Sequence, residues 1–245
     1  MIQLTRILGY NIYNKSKKEL IESVVETEEK INIVSGNPEV LYNGLQDKEL
    51  YQCFNSKNTI IIPDGVGVVH TSKLLKQGVK EKIAGIEVME AIIEHCANNE
   101  KAIFLLGAQQ DVVESCALNL MDKYPTLKIA GIHNGFFNLD DCQNLIDKIN
   151  NSKPFALFVA MGSPRQDQFI MKYMDILQAK IFMGVGGSFD IFAGKLNRAP
   201  SWMIKTNMEW LYRVVKEPTR IKRLAAIPKF MYLAVKDSKK NKLKK

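Results

Sequence analysis

A few polar residues in this chain follow apolar runs closely enough to work in a cleft. Asp64 directly follows the run "NTIIIP" and precedes Gly65. A carboxylate held at a cleft floor can take a proton from a hydroxyl. The same Pro-Asp-Gly sequence also makes a turn in which Asp satisfies nearby amides. The segment "GVGGS" (184–188) lets backbone amides approach a pyrophosphate, or else serves tight packing of sheet against helix. Ser163-Pro164-Arg165-Gln166 puts an amide and a guanidinium at the start of a helix, where they can grip sugar hydroxyls or phosphates or simply meet solvent. Asp190, after a Gly-rich turn, can accept bonds from a sugar or cap a helix.

Other chemistries are excluded by spacing. "GVGVVH" (65–70) opens like a dinucleotide fingerprint but lacks the third glycine, and no G-x-x-x-x-G-K-[ST] occurs. No D-x-D supplies a carboxylate pair for a nucleotide-bound metal. Cysteines 53, 96, 116 and 142 form no C-x-x-C, and histidines 70, 95 and 133 form no H-E-x-x-H. Neither a zinc site nor a disulfide scaffold is expected, and the pattern fits a reducing cytosol.

These residues need a frame. Apolar runs at 4–12, 31–36, 58–65, 101–108, 127–132, 155–162 and 180–187 read as strands. Helical patterns over 86–98, 110–123 and 140–150 alternate with them. Ser16 to Glu19 forms a capping box, and Asn37-Pro38 and Ser163-Pro164 read as a helix cap followed by its first residue. The predicted fold is α/β: a Rossmann-like, mostly parallel sheet with helices on both faces. Ligands of such a sheet lie beyond the carboxyl ends of its strands, where all the polar segments above fall.

After residue 194 the pattern changes. Of the 34 Lys and Arg, 15 lie in residues 195–245, against 3 of the 26 Asp and Glu, a balance of +12. The rest of the chain therefore carries −4 of the net +8. Both tryptophans lie in this basic segment, which reads as amphipathic helices broken near Pro218 and Pro228 and ending in "KDSKKNKLKK". The expected division is a catalytic core over 1–194 and a basic helical appendage over 195–245. Such an appendage suits an anionic partner, a membrane surface or a nucleic acid. The body has no RRM, KH or helix-turn-helix signature, so nucleic-acid binding is the remote reading. No apolar run is long enough to span a bilayer, and the first residues contain no signal-peptide h-region. A cytoplasmic location, with peripheral attachment to the inner membrane face, is expected. A homo-oligomer burying apolar surface of the body is an open expectation.

"IIIPDGVGVV", "IFLLGA", "MGSPRQDQFI" and "GVGGSFDIFAGKLNRAPSWMIKTNMEWLYRVVKEPTRIKR" together resemble the WecG/TagA/CpsF glycosyltransferases, glycosyltransferase family 26. The resemblance runs from about residue 5 to 235. It implies an inverting, metal-independent transferase without cofactor, using a UDP-sugar donor and a polyprenyl-diphosphate-linked acceptor. The best-known reaction moves N-acetylmannosamine onto N-acetylglucosaminyl-diphospho-undecaprenol for teichoic acid or a related surface polysaccharide. Asp64 matches the proposed catalytic base. Ser35 and Asn37 match a Thr-x-Asn pair, with Ser in place of Thr, and Gln166 and Asp190 match the donor or acceptor pocket. Arg213, Arg220 and Arg223 match C-terminal arginines thought to meet the diphosphate. Lys82 stands where many members carry Arg, and Asp167 where Glu is commoner. These departures leave open a different donor, glucose, galactose or a uronic acid, in capsule or exopolysaccharide synthesis.

Overall fold

The structure, a computed structural model, describes residues 4–206, 208–216 and 226–242. Eight strands form one sheet: β1 (Leu4–Ile7), β2 (Tyr10–Tyr13), β3 (Ile31–Gly36), β4 (Thr59–Pro63), β5 (Ala102–Gly107), β6 (Lys128–His133), β7 (Ala156–Ala160) and β8 (Ile181–Gly184). Their order is β1-β2-β4-β3-β8-β7-β5-β6, parallel throughout except for β1. Strands β5, β7 and β8 are almost wholly buried, because helices cover both faces of the sheet. This is the expected α/β class.

The helices on one face are α1 (Lys17–Val25), α5 (Gly85–Asn98), α6 (Gln110–Lys123) and the short α9 (Ser188–Phe192), around a core that includes Val88, Ile92, Val113, Phe158 and Phe189. On the other face, α7 (Gln143–Ser152) and α8 (Arg165–Tyr173) cover Phe104, Leu157 and Phe182. Beside them, α2 (Pro38–Gln46), α3 (Lys48–Phe54) and α4 (Val66–Leu74) cover Ile12, Val34 and Ile61. Past the last strand come α10 (Ser201–Lys205), α11 (Glu209–Lys216) and α12 (Ala226–Lys242). Helix α12 packs on α2 and α4 and seats a fully buried Phe230 among Tyr10, Leu41 and Val68. Burying such a side chain stabilises the contact by about 2–3 kcal/mol.

Local signals placed the starts of α1 and α2 correctly. Ser16 accepts from the Glu19 amide while Glu19 returns a bond to the Ser16 amide. Asn37 caps α2 by accepting from the Val40 amide at 3.0 Å, with Pro38 at the first helical position. Four expectations need correction. Residues 4–12 are a hairpin, because Leu8 and Gly9 both take left-handed backbone angles (φ 52° and 81°) and reverse the chain. Helices α3 and α4 were not foreseen, since α4 is built from "VGVVHTSKL", a β-branched run. Ser163 does not cap α8, which begins at Arg165 after a cis Ser163–Pro164 bond. Pro228 lies in the first turn of α12, where its missing amide costs nothing, so the helix runs through it and on into the lysine-rich tail. Pro218 lies outside the described residues.

Candidate active site

Strands β3 and β4 end level with each other, Gly36 opposite Pro63, so the next residues, Asn37 and Asp64, emerge side by side. The loops after β8 and β7 complete the rim of a cleft of about 250 Å³. Ser35, Asn37, Asp64, Lys82 and Gln166 all line it, so five of the nine sequence-derived positions meet in one place. Gly85, the first residue of α5, lets them approach. A β-carbon there would stand 2.3 Å from Ser35 Oγ and 3.3 Å from Asp64 Oδ2.

Gln166 is buried and faces inward. Its Oε1 accepts from the Gly162 amide at 3.1 Å and from the Gly186 amide at 3.0 Å. One amide oxygen thus ties the loop after β7 to the loop after β8. Gly184 must be glycine for this to work, because a β-carbon would lie 2.6 Å from Gln166 Nε2. The "GVGGS" glycines therefore serve close packing at Gly184 and a left-handed turn at Gly186 (φ 50°). Gly67 likewise admits Pro38, whose Cγ would lie 2.4 Å from a β-carbon there.

Asp190 does not line the cleft that holds Asp64. It lies in a second chamber with Gln109, Phe136 and Arg165, and the two chambers share Gly162, Gly186 and Gly187 as a dividing ridge. The Phe136 ring is 75% exposed at this second opening. The Arg165 guanidinium donates to the carbonyls of Gly135 and Phe137 and lies over the Phe137 ring, so it holds the loop after β6.

Of the C-terminal arginines, Arg213 is on α11, and Arg220 and Arg223 lie outside the described residues. Helix α11 nevertheless reaches the first cleft, where Glu209 and Trp210 form part of the wall. Neither residue was singled out from sequence, nor was Glu39, which also lines the cleft. An acidic residue in the first turn of a helix ordinarily signals only the helix dipole, so Glu39 carried no distinctive mark. At the edge, Arg198 donates to Glu87 Oε1 at 2.6 Å and Lys17 to Oε2 at 3.1 Å. Burial opposes ionisation of Glu87, but these two bonds hold its carboxyl below the usual range.

Two further titratable groups lie outside the cleft lining. Burial pushes the Asp167 carboxyl up to about 6, against a lowering bond from Ser163. Burial, with a contribution from Asp167, pushes the Cys53 thiol up to about 11. Among the described residues no three His, Cys, Asp or Glu side chains gather as a metal-binding group, and no helix is long and apolar enough to cross a membrane.

Comparison with known proteins places this cleft in context. The profile described as "Glycosyl transferase WecG/TagA/CpsF family" matches residues 5–244. A Bacillus subtilis (strain 168) protein, named N-acetylglucosaminyldiphosphoundecaprenol N-acetyl-beta-D-mannosaminyltransferase, is 37% identical over 206 residues, covering 84% of this chain and 79% of its own. A Staphylococcus aureus (strain MW2) protein of the same name is 35% identical over 241 residues, covering 96% and 94%.

Proposed function

The chain belongs to the WecG/TagA/CpsF glycosyl transferase family and is a glycosyltransferase, and from that premise we propose that it moves N-acetylmannosamine from UDP-N-acetylmannosamine to N-acetylglucosaminyl-diphospho-undecaprenol. The acceptor and transferred sugar are those in the names of the two relatives. The observation that carries the reading is the grouping of Asp64 with Ser35, Asn37 and Lys82 around one cleft at the carboxyl end of the sheet.

In this reading the acceptor hydroxyl attacks the anomeric carbon and Asp64 collects its proton. The new glycosidic bond forms as the bond from the anomeric carbon to the UDP oxygen breaks, with inversion. UDP leaves with negative charge, which amides and cations must meet if no metal takes part. Lys82 and the arginines 213, 220 and 223 are the cations we assign to this task, the planar guanidinium being suited to two phosphate oxygens at once. Asp190 in the second chamber is assigned to the nucleotide half of the donor. No cofactor is invoked.

The basic segment is assigned to peripheral docking on the anionic inner face of the cytoplasmic membrane and to closing the cleft. Support comes from the place of Glu209 and Trp210 in the cleft wall and from the exposure of Trp202, Trp210, Val215 and Tyr232. Each basic residue near such a surface contributes about 1 kcal/mol, so several give reversible attachment. A second reading keeps the reaction and changes the donor to UDP-glucose, UDP-galactose or a UDP-uronic acid. It is favoured by Ser35 and Lys82, two cleft residues that depart from the commoner family pattern.

Asp64→Asn tests the central assignment. Turnover should fall by at least a hundredfold while UDP-sugar binding persists. Activity within tenfold of the unaltered enzyme removes Asp64 as the base. Transfer assayed with each UDP-sugar in turn, with and without EDTA, decides the donor and the part played by metal.

A further inference from the structure

Ser163 lines the cleft beside Gln166, and its polar neighbours Asn43 and Asp167 lie outside that lining. Asn43 Nδ2, on α2, donates to Ser163 Oγ at 3.2 Å. The Asp167 carboxyl, on α8, lies close enough to Ser163 for that hydroxyl to favour its ionised form. Asp167 is only 5% exposed, and its second oxygen, Oδ2, has no hydrogen-bond partner. Leaving a buried carboxylate half satisfied costs stability, so the arrangement is expensive as mere structure.

The arrangement has a definite consequence for the serine. A carboxylate only accepts, so in a bond between the two Ser163 must be the donor, while Asn43 takes one of its lone pairs. What remains for the cleft is one lone pair, and no donor. We propose that Ser163 is a substrate-positioning acceptor, fixed in that state by Asn43 and Asp167, and that it binds a hydroxyl or amide N–H of the sugar being transferred. This deepens the transferase reading and rests on it. Ser163 lies next to Gly162 on the ridge between the two chambers, where a sugar joined to a nucleotide in one chamber must reach the other.

Asp167 is the positioning residue of the pair. Of the elements packed against it, α2 presents Glu39 and α3 presents Cys53 as titratable neighbours. Protonating Asp167 removes the pull on the hydroxyl hydrogen, and the serine can then turn its donor toward the cleft. An amide at 167 has no charge to hold the hydroxyl hydrogen at any pH, and its NH2 group can donate to Oγ.

The test measures the affinity for UDP-N-acetylmannosamine by calorimetry, and the KM and kcat of transfer, for Ser163→Ala, Asp167→Asn and Asp167→Glu. Thermal melting confirms that each variant is folded. Ser163→Ala and Asp167→Asn should raise Kd and KM about tenfold with kcat changed less than threefold. Asp167→Glu should restore most of the affinity. In the unaltered enzyme KM should rise as pH falls through about 6, and Asp167→Asn should lose that dependence. Unchanged Kd and KM in both Ser163→Ala and Asp167→Asn overturn the proposal and leave the transferase reading standing. A weakened Asp167→Asn that keeps the same acid dependence overturns the role of Asp167. If the unaltered chain binds no UDP-sugar at all, the transferase reading fails and this proposal fails with it.

Discussion

Gly85 faces Asp64 so closely that a β-carbon built on it would stand 3.3 Å from Asp64 Oδ2. The same atom would stand 2.3 Å from Ser35 Oγ, inside any tolerable contact. Gly85→Ala should therefore displace Ser35 and crowd the carboxylate. Overpacking of this kind costs about 1–3 kcal/mol, which a domain of this size survives. Displacement of about 1 Å at a reacting group costs up to a hundredfold in rate. The expected result is a folded enzyme with kcat/KM down at least tenfold, read by circular dichroism and a transfer assay.

Gln166 should prove more structural than its place in the cleft suggests. Gln166→Leu keeps the size and removes the oxygen that serves the Gly162 and Gly186 amides. Leaving both without a partner should cost about 2–4 kcal/mol. Thermal melting reads the loss, and hydrogen exchange should localise it to the loops after β7 and β8. Gln166→Glu retains an acceptor and should lose much less.

Phe230 anchors the end of the chain to the body. Phe230→Ala should cost about 3–5 kcal/mol of that contact. Limited proteolysis should then cut within 226–242 while the sheet remains resistant. Equal protection of that segment in the variant would show that other contacts hold α12.

Asp167 also makes stability depend on pH with a sign opposite to that of a salt-bridged acid. Its carboxyl sits at about 6 in the folded chain, against about 3.9 in the unfolded one. Between these values folding takes up a proton. The contribution of Asp167 is thus most favourable below pH 4, falls as pH rises toward 6, and stays low above it. The difference integrates to about 3 kcal/mol. Denaturant unfolding should show Asp167→Asn gaining stability relative to the unaltered protein from pH 4 to 7. A gap that does not widen over that range refutes the assignment.

Much of this was legible in the sequence for reasons that are local. Apolar runs bounded by Gly, Pro and Asn gave the central strands, and a cap with Pro after it gave the start of α2. Leu8 in a left-handed turn could not be read, because nothing in a leucine announces it. Helix α4 was hidden by its valines; Val68 is buried in one cluster with Phe230 of α12, and that packing outweighs the weak preference of valine for helix. In the site, the residues that follow strand ends were found because the parallel sheet fixes where they go. Glu39, Glu209 and Trp210 were not, because their place depends on how separate helices pack. Gln166 was found, but its main work is done toward the backbone, which no spacing reveals.

The seat of α12 has one more consequence. It rests on α2 and α4, and the residues just ahead of those helices include Asn37 and Asp64. A pull on the far end of the polypeptide is therefore passed to α2 and α4 together, the two helices that continue from these cleft residues.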